Sequence, residues 1–247
     1  MKKEAYSLPD IVSRDEWLKK RKALLIEEKE FTKQHEKINA RRRQLPMVEV
    51  NKEYIFDGPE GKESLLELFK GRNQLIVQHF MFDPEWNEGC KGCSFQTDNI
   101  GNLAHLHARN VTLVLVSRAP LEKLEKFKKR MGWTIPWYSS FDNDFNYDYH
   151  VTIDADRGSH VYNYEDISTL GENWKNWKGE QPGNSVFIRK GDSIFHTYSS
   201  YERGCELLMG TLNYLDLTAL GRQEDWEKPE GRGSDKPGSW WGLHDKY

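Results

Sequence analysis

Apolar residues recur at every seventh position, Trp17, Leu24, Phe31, Ile38 and Leu45, along a stretch from 13 to 44 that holds neither proline nor glycine. The pattern predicts one long helix with a single seam. Ser13, followed three residues later by Glu16, reads as a capping box, and Pro46 stops the run after Leu45. A second apolar line begins at Leu18 and Leu25 but lapses at Thr32 and Asn39, which argues against a self-sufficient coiled coil. A helix docked along its own domain is expected, with a homodimer arm as the alternative.

Beyond this arm, residues 47–56 read as a small hairpin around Asn51-Lys52, and 62–69 as a short helix after the turn residues Asp57-Gly58-Pro59. Residues 75–82 are apolar apart from Gln78 and His79, too short for a stable helix and suited to a strand buried on both faces. His79 inside such a strand reads as a hydrogen-bonded core histidine. Residues 94–109 place Phe95, Ile100, Leu103, Leu106 and Ala108 on a helical stripe, and 111–116 form a second buried strand. Pro120 then opens a helix through Leu121, Leu124, Phe127 and Met131 that Gly132 closes.

Residues 185–189 and 193–198 pair around Lys190-Gly191-Asp192, and 201–217 read as a final helix through Leu207, Leu208, Leu212 and Leu215. Strands alternating with helices and closing in an antiparallel hairpin describe an α/β fold, a mixed β-sheet flanked by helices. Three segments follow: a helical arm over 1–46, a domain over 47–220 with an aromatic-rich insertion at about 133–181, and a tail over 221–247. The tail reads as an extended strap whose Trp240-Trp241 packs back on the domain.

Composition narrows the function classes. A net charge of -3, from 39 acids against 36 bases, gives no global attraction to nucleic acid or membrane. The basic clusters at 19–22 and 41–43 alternate with acids at helical spacing, the pattern of a solvated face. No apolar run approaches the roughly 18 residues of a membrane span, and the first ten residues lack a signal-peptide core, so a cytoplasmic location is expected. Two of the three cysteines form a CxxC pair, which the reducing cytosol would keep as thiols.

The chemistry centres on Cys90-Lys91-Gly92-Cys93, between a buried strand and a helix. Unpaired amides and the helix dipole favour a thiolate at Cys90, Lys91 adds a nearby charge, and Cys93 lies almost one turn on, within reach for a disulfide. Cys90 is therefore the attacking sulfur and Cys93 the resolving one. Arg118, beyond the carboxyl end of the second strand, is a candidate for holding an anionic substrate or the thiolate, with a salt bridge as the plainer role. Trp86 and Tyr147 complete the supporting candidates. Cys205 reads as a small core residue.

No metal or cofactor is expected. A four-cysteine zinc site is excluded by the cysteine count, and His105 and His107 lie too far along the predicted helix. The run Asp142, Asp144, Asn146, Asp148 resembles the start of a calcium loop, but Tyr147 replaces the required Gly and Ile153 the required Glu.

The strand 75–82, the loop ending Gly89-Cys90-Lys91-Gly92-Cys93-Ser94-Phe95, the run from Val111 to Leu121, the segment Asp144-Phe145-Asn146-Tyr147-Asp148, the segment Phe195-His196-Thr197-Tyr198-Ser199 and the closing His244-Asp245-Lys246-Tyr247 resemble domain-of-unknown-function family 899. The resemblance implies a thioredoxin-like fold with kinship to peroxiredoxins. Gly89 stands where thioredoxins carry Trp, and Pro182, three residues ahead of Ser185, leaves open whether its peptide bond is cis. Pro84 and Asn87 depart from the peroxiredoxin pattern, which weakens a peroxidase reading. The expected function is thiol-disulfide oxidoreductase, acting on a protein or small-molecule thiol, disulfide or peroxide. Thiol peroxidase, metal-binding protein and redox-silent adaptor are the alternatives.

Overall fold

The computed structural model describes residues 8–174, 177–230 and 232–247. In chain order, α1 (Arg14–Arg42) is followed by β1 (Val48–Glu49), β2 (Ile55–Gly58), β3 (Gly61–Ser64), β4 (Gln74–His79), α2 (Lys91–Asp98), α3 (Ala104–His107) and β5 (Val111–Ser117). Then come α4 (Leu121–Arg130), β6 (Trp137–Ser139), α5 (Phe145–Asp148), β7 (Thr152–Ile153), β8 (Val161–Tyr162), β9 (Glu165–Asp166) and β10 (Gly179–Glu180). The chain closes with β11 (Gly183–Lys190), β12 (Ser193–Tyr201) and α6 (Gly210–Leu215). Two compact units result, one drawn from Met1–Pro46 and Tyr214–Ser239, the other from Met47–Asn213 and Trp240–Tyr247. The tail read from residue 221 onward is thus divided, its residues up to Ser239 grouping with α1 and Trp240–Tyr247 with the sheet.

In the larger unit an eight-stranded sheet runs β1-β12-β11-β4-β5-β6-β2-β3. Strands β4 and β5 are parallel, while β11 lies antiparallel to both β4 and β12. A βαβ crossover whose first strand then pairs with an antiparallel hairpin is the thioredoxin-like arrangement, and the mixed α/β sheet flanked by helices is therefore present. Leu75, Val77, Val114, Val116 and Phe187 are fully buried on the face with Phe145 and Tyr149; Phe80, Leu115, Leu124, Phe127 and Trp137 build a second core cluster. The insertion contributes β6 to the main sheet and forms two small ribbons, β7 with β10 and β8 with β9.

Several local expectations need correction. The hairpin expected at 47–56 does not form: β1 finds its hydrogen-bond partners in β12, and β2 pairs instead with β3. Gly61, at φ 120°, supplies the left-handed backbone that this turn needs. The helix expected over 62–69 is consequently strand β3 and a 3-10 turn, Glu67–Phe69.

The single helix expected over 94–109 breaks in two. The Asn99 side-chain amide donates to the Phe95 carbonyl at 2.7 Å, and Asn102 Oδ1 accepts from the Ala104 amide at 2.9 Å, closing α2 and opening α3. The helix expected over 201–217 is a 3-10 segment, Glu202–Leu208, and then α6. Its period of three turns Cys205 inward and leaves Leu207 and Leu208 exposed.

The arm helix matches its signals. Ser13 caps α1, its hydroxyl accepting from the Glu16 amide at 3.2 Å, and the helix ends at Arg42, four residues before Pro46. A helix that buries one face is not observed: no residue of α1 is buried, and Trp17, Leu24, Phe31 and Ile38 of the seam are exposed. Among the described residues, no helix is long and apolar enough to cross a membrane.

Candidate redox site

The chain leaves β4 through Phe80, Met81 and Phe82 and returns at Cys90, the N-cap of α2. The Cys90 amide donates to the Met81 carbonyl at 3.0 Å, and the Met81 amide donates to Cys93 Sγ at 3.3 Å. One residue of the departing strand therefore fixes both cysteines. Gly89 permits this closure, since a Cβ there would lie 2.6 Å from Phe80 Cε1 and 3.0 Å from Phe127 Cε1. A tryptophan, the thioredoxin residue at this place, has no room.

Both cysteines are free thiols, Cys90 half-buried and Cys93 only 3% exposed. The Cys93 thiol and the amides of Cys93 and Gly92 all donate to the Cys90 sulfur, and together they outweigh burial to bring its pKa down to about 6. The lowering favours the thiolate form of Cys90 at neutral pH. The same hydrogen bond, with burial, pushes the Cys93 thiol well above the usual range. The Cys93 carbonyl accepts from Thr97 Oγ1 at 2.8 Å and from Gln78 Nε2 at 3.3 Å, which pins the first turn of α2. The two sulfurs are thus shifted in opposite directions, Cys90 toward the thiolate and Cys93 toward the thiol.

The other candidates divide. Lys91 is exposed as the first residue of α2, and the groups that lower the Cys90 pKa are thiol and amide donors. Trp86 is 36% exposed on the loop ahead of Cys90, its carbonyl accepting from Lys123 Nζ at 3.2 Å. Arg118 and Tyr147 come together, the guanidinium 5.0 Å from the ring centroid, but around Glu180. Arg118 donates to Glu180 Oε1 at 3.1 Å, and Thr152 Oγ1 lies 3.0 Å from both carboxylate oxygens. Glu180 is 2% exposed, and burial, only partly offset by Arg118 and Thr152, pushes its pKa up to about 7.

His79 Nε2 lies 2.8 Å from Ser185 Oγ, and burial, with His196 nearby, holds its pKa down to about 3, a neutral core histidine. The Gln181–Pro182 bond is not among the cis peptides. Among the described residues, no three His, Cys, Asp or Glu side chains converge on a point that could hold a metal ion.

Sequence reasoning missed Met81 and Glu180, and read the docking of Trp241 without its place. Met81 acts through its backbone, which no side-chain pattern reveals. Glu180 sits in a polar stretch, and nothing in its neighbours marks it as buried. Trp241 packs flat on Phe95, with centroids 5.1 Å apart and planes at 0°, and its ring edge lies over Gly92. The Trp240-Trp241 pair was its one visible signal.

Fold and topology define a thioredoxin-like α/β protein. The model of a family described as bacterial proteins of unknown function, DUF899, matches residues 6–247, and the chain belongs to that family. No curated protein matches its sequence. Among solved structures it is similar to peroxidoxin BcpB from Mycobacterium tuberculosis, at 12% identity over 69% of this chain and 97% of that one, with a TM-score of 0.45. It is also similar to a cysteine mutant of PrxQ from Xylella fastidiosa, at 12% identity, 69% and 94% coverage and a TM-score of 0.44. Peroxiredoxin Q from Xanthomonas campestris aligns at 12% identity, 65% and 89% coverage and a TM-score of 0.42.

Proposed function

We propose that this protein is a thiol-disulfide oxidoreductase in which Cys90 attacks and Cys93 resolves. The observation that carries the reading is the placement of the pair: Cys90, half-buried, caps α2, and Cys93, 3% exposed on its first turn, has its Sγ held by the Met81 amide at 3.3 Å. The Cys90 thiolate attacks one sulfur of a substrate disulfide, forming a mixed disulfide and expelling the other sulfur as a thiolate that takes a proton. Departure of the negative charge from Cys90 removes what held the proton on Cys93. Cys93 then ionises and attacks Cys90 Sγ, releasing the second substrate thiol. Two electrons pass to the substrate, and the chain retains a Cys90–Cys93 disulfide.

Thiol trapping with mass spectrometry tests the proposal. Reduced protein is mixed with an equimolar small disulfide, or separately with hydrogen peroxide, and the free thiols are counted. Closure of Cys90 with Cys93 by the disulfide, and a mixed disulfide on Cys90 that persists in Cys93→Ser, are expected. Closure by peroxide alone, through a sulfenic acid on Cys90, would replace the proposal with a peroxidase. Three intact thiols after both oxidants would remove the redox reading.

A further inference from the structure

The last residues of the chain are fastened to the cysteine loop. Leu243 is 1% exposed in the core cluster that contains Phe80, Phe127 and Cys93. Arg130 clasps Asp245 through two hydrogen bonds, of 2.7 and 3.0 Å, and Lys246 Nζ lies 2.8 Å from both carboxylate oxygens of Glu88. His244 Nδ1 is 2.8 Å from Asp98 Oδ1 at the far end of α2. Anchors at Glu88 and Asp98 bracket the CxxC segment in sequence, and Trp241 lies on the same strap.

The placement of that indole is specific. A Cβ built on Gly92 would lie 3.3 Å from Trp241 Cε3, 3.4 Å from Cζ3 and 3.9 Å from Cys90 Sγ. The benzo edge of Trp241 and the Cys90 sulfur therefore border the same small space above Gly92. Phe95 backs the ring from below by parallel stacking, and Trp240 packs edge-on to Phe95 at 5.4 Å. A rigid aromatic supported in this way costs little entropy to hold in place and acts as a wall.

We infer that Trp241 is a specificity-determining wall of the Cys90 site, closing its Gly92 side so that low-molecular-weight thiols and disulfides reach the sulfur while bulky ones do not. The inference deepens the proposed function, taking Cys90 as the reacting sulfur and adding what selects its partner. Cys93 and Cys205 are 3% and 1% exposed, so Cys90 is the thiol that reports on access.

The test is alkylation of Cys90 in the full-length reduced protein by a small maleimide and by a bulky dye-linked maleimide. Trp241→Ala should raise the bulky-to-small rate ratio by about fivefold or more, and Trp241→Phe should restore the wild-type ratio. Trp241→Leu, which keeps an apolar cover on Phe95, should give an intermediate ratio and serves if the alanine variant fails to fold. An unchanged ratio in folded variants, or equal acceleration of both reagents, overturns the wall. Alkylation needs no turnover, so failure of the redox reading in the trapping experiment leaves this result standing by itself.

Discussion

The Met81 backbone amide donates to Cys93 Sγ at 3.3 Å, which ties this sulfur to the chain leaving β4. Cys93 in turn donates to Cys90, so the two cysteines are unequal before any substrate arrives. Cys90 is the sulfur on which charge is favoured, and the buried Cys93 keeps its proton.

This inequality sets a pH profile. The alkylation rate of Cys90 should rise with pH along a single titration with its midpoint at about 6. Because the Cys93 thiol is the largest cause of the lowering, Cys93→Ala should move that midpoint up toward the ordinary thiol value of 9.0. Stopped-flow measurement with a small maleimide reads both values. An unmoved midpoint would assign the effect to the backbone amides alone.

Glu180 gives stability a slope in the opposite sense to an ordinary ion-paired carboxylate. Its pKa is raised in the folded chain, from 4.5 to about 7, so between these values the folded state keeps a proton that the unfolded state has lost. Its contribution therefore destabilises the fold as pH rises through this window, by about 3 kcal/mol in all. Urea unfolding from pH 4 to 8 should show Glu180→Gln close to the parent at low pH and with a flatter profile above it. Parallel profiles would mean that Glu180 ionises normally.

Gly89 is expected to tolerate no side chain. Gly89→Ala puts a methyl group 2.6 Å from the buried ring of Phe80, and overpacking of this kind costs about 1–3 kcal/mol. Chemical denaturation measures the loss, and a variant as stable as the parent would show that the loop has another path around Phe80.

Leu243 anchors the strap. Leu243→Ala removes a side chain 1% exposed among Phe80, Leu124 and Phe127, at a cost of about 2–5 kcal/mol. The variant should also relax the size selection at Cys90, because Trp241 is carried on the same segment. Retention of full stability would show that the strap is a passenger on the core.

The order of the central elements, from β4 to α4 and then the β11–β12 hairpin, was legible because local rules govern it. Ser13, Pro120 and Gly132 marked helix ends through capping and backbone preference, and the apolar runs that became β4 and β5 had to be buried on both faces. The pair Cys90 and Cys93 was legible for the same reason, since spacing within one helical turn is a local property. Where reading failed, a distant partner overrode the local pattern. β1 is a strand because β12, far along the chain, offers it hydrogen bonds, between Val48–His196 and Glu49–Phe195 register partners that no window of sequence contains. Asn99 closes α2 while its Oδ1 accepts from Thr211, at 2.6 Å from the amide and 2.8 Å from the hydroxyl.

From the sequence alone came the central strand-helix-strand-helix order and closing hairpin, the ends of α1 and α4, and the cysteine spacing, all set by interactions within a few residues. Only the tertiary structure decided which sulfur is buried, that Met81 holds it, that Glu180 is enclosed with Arg118, and that Trp241 stands over Gly92. Those facts depend on desolvation and on contacts between groups far apart in the chain, and both exist only once the chain has folded.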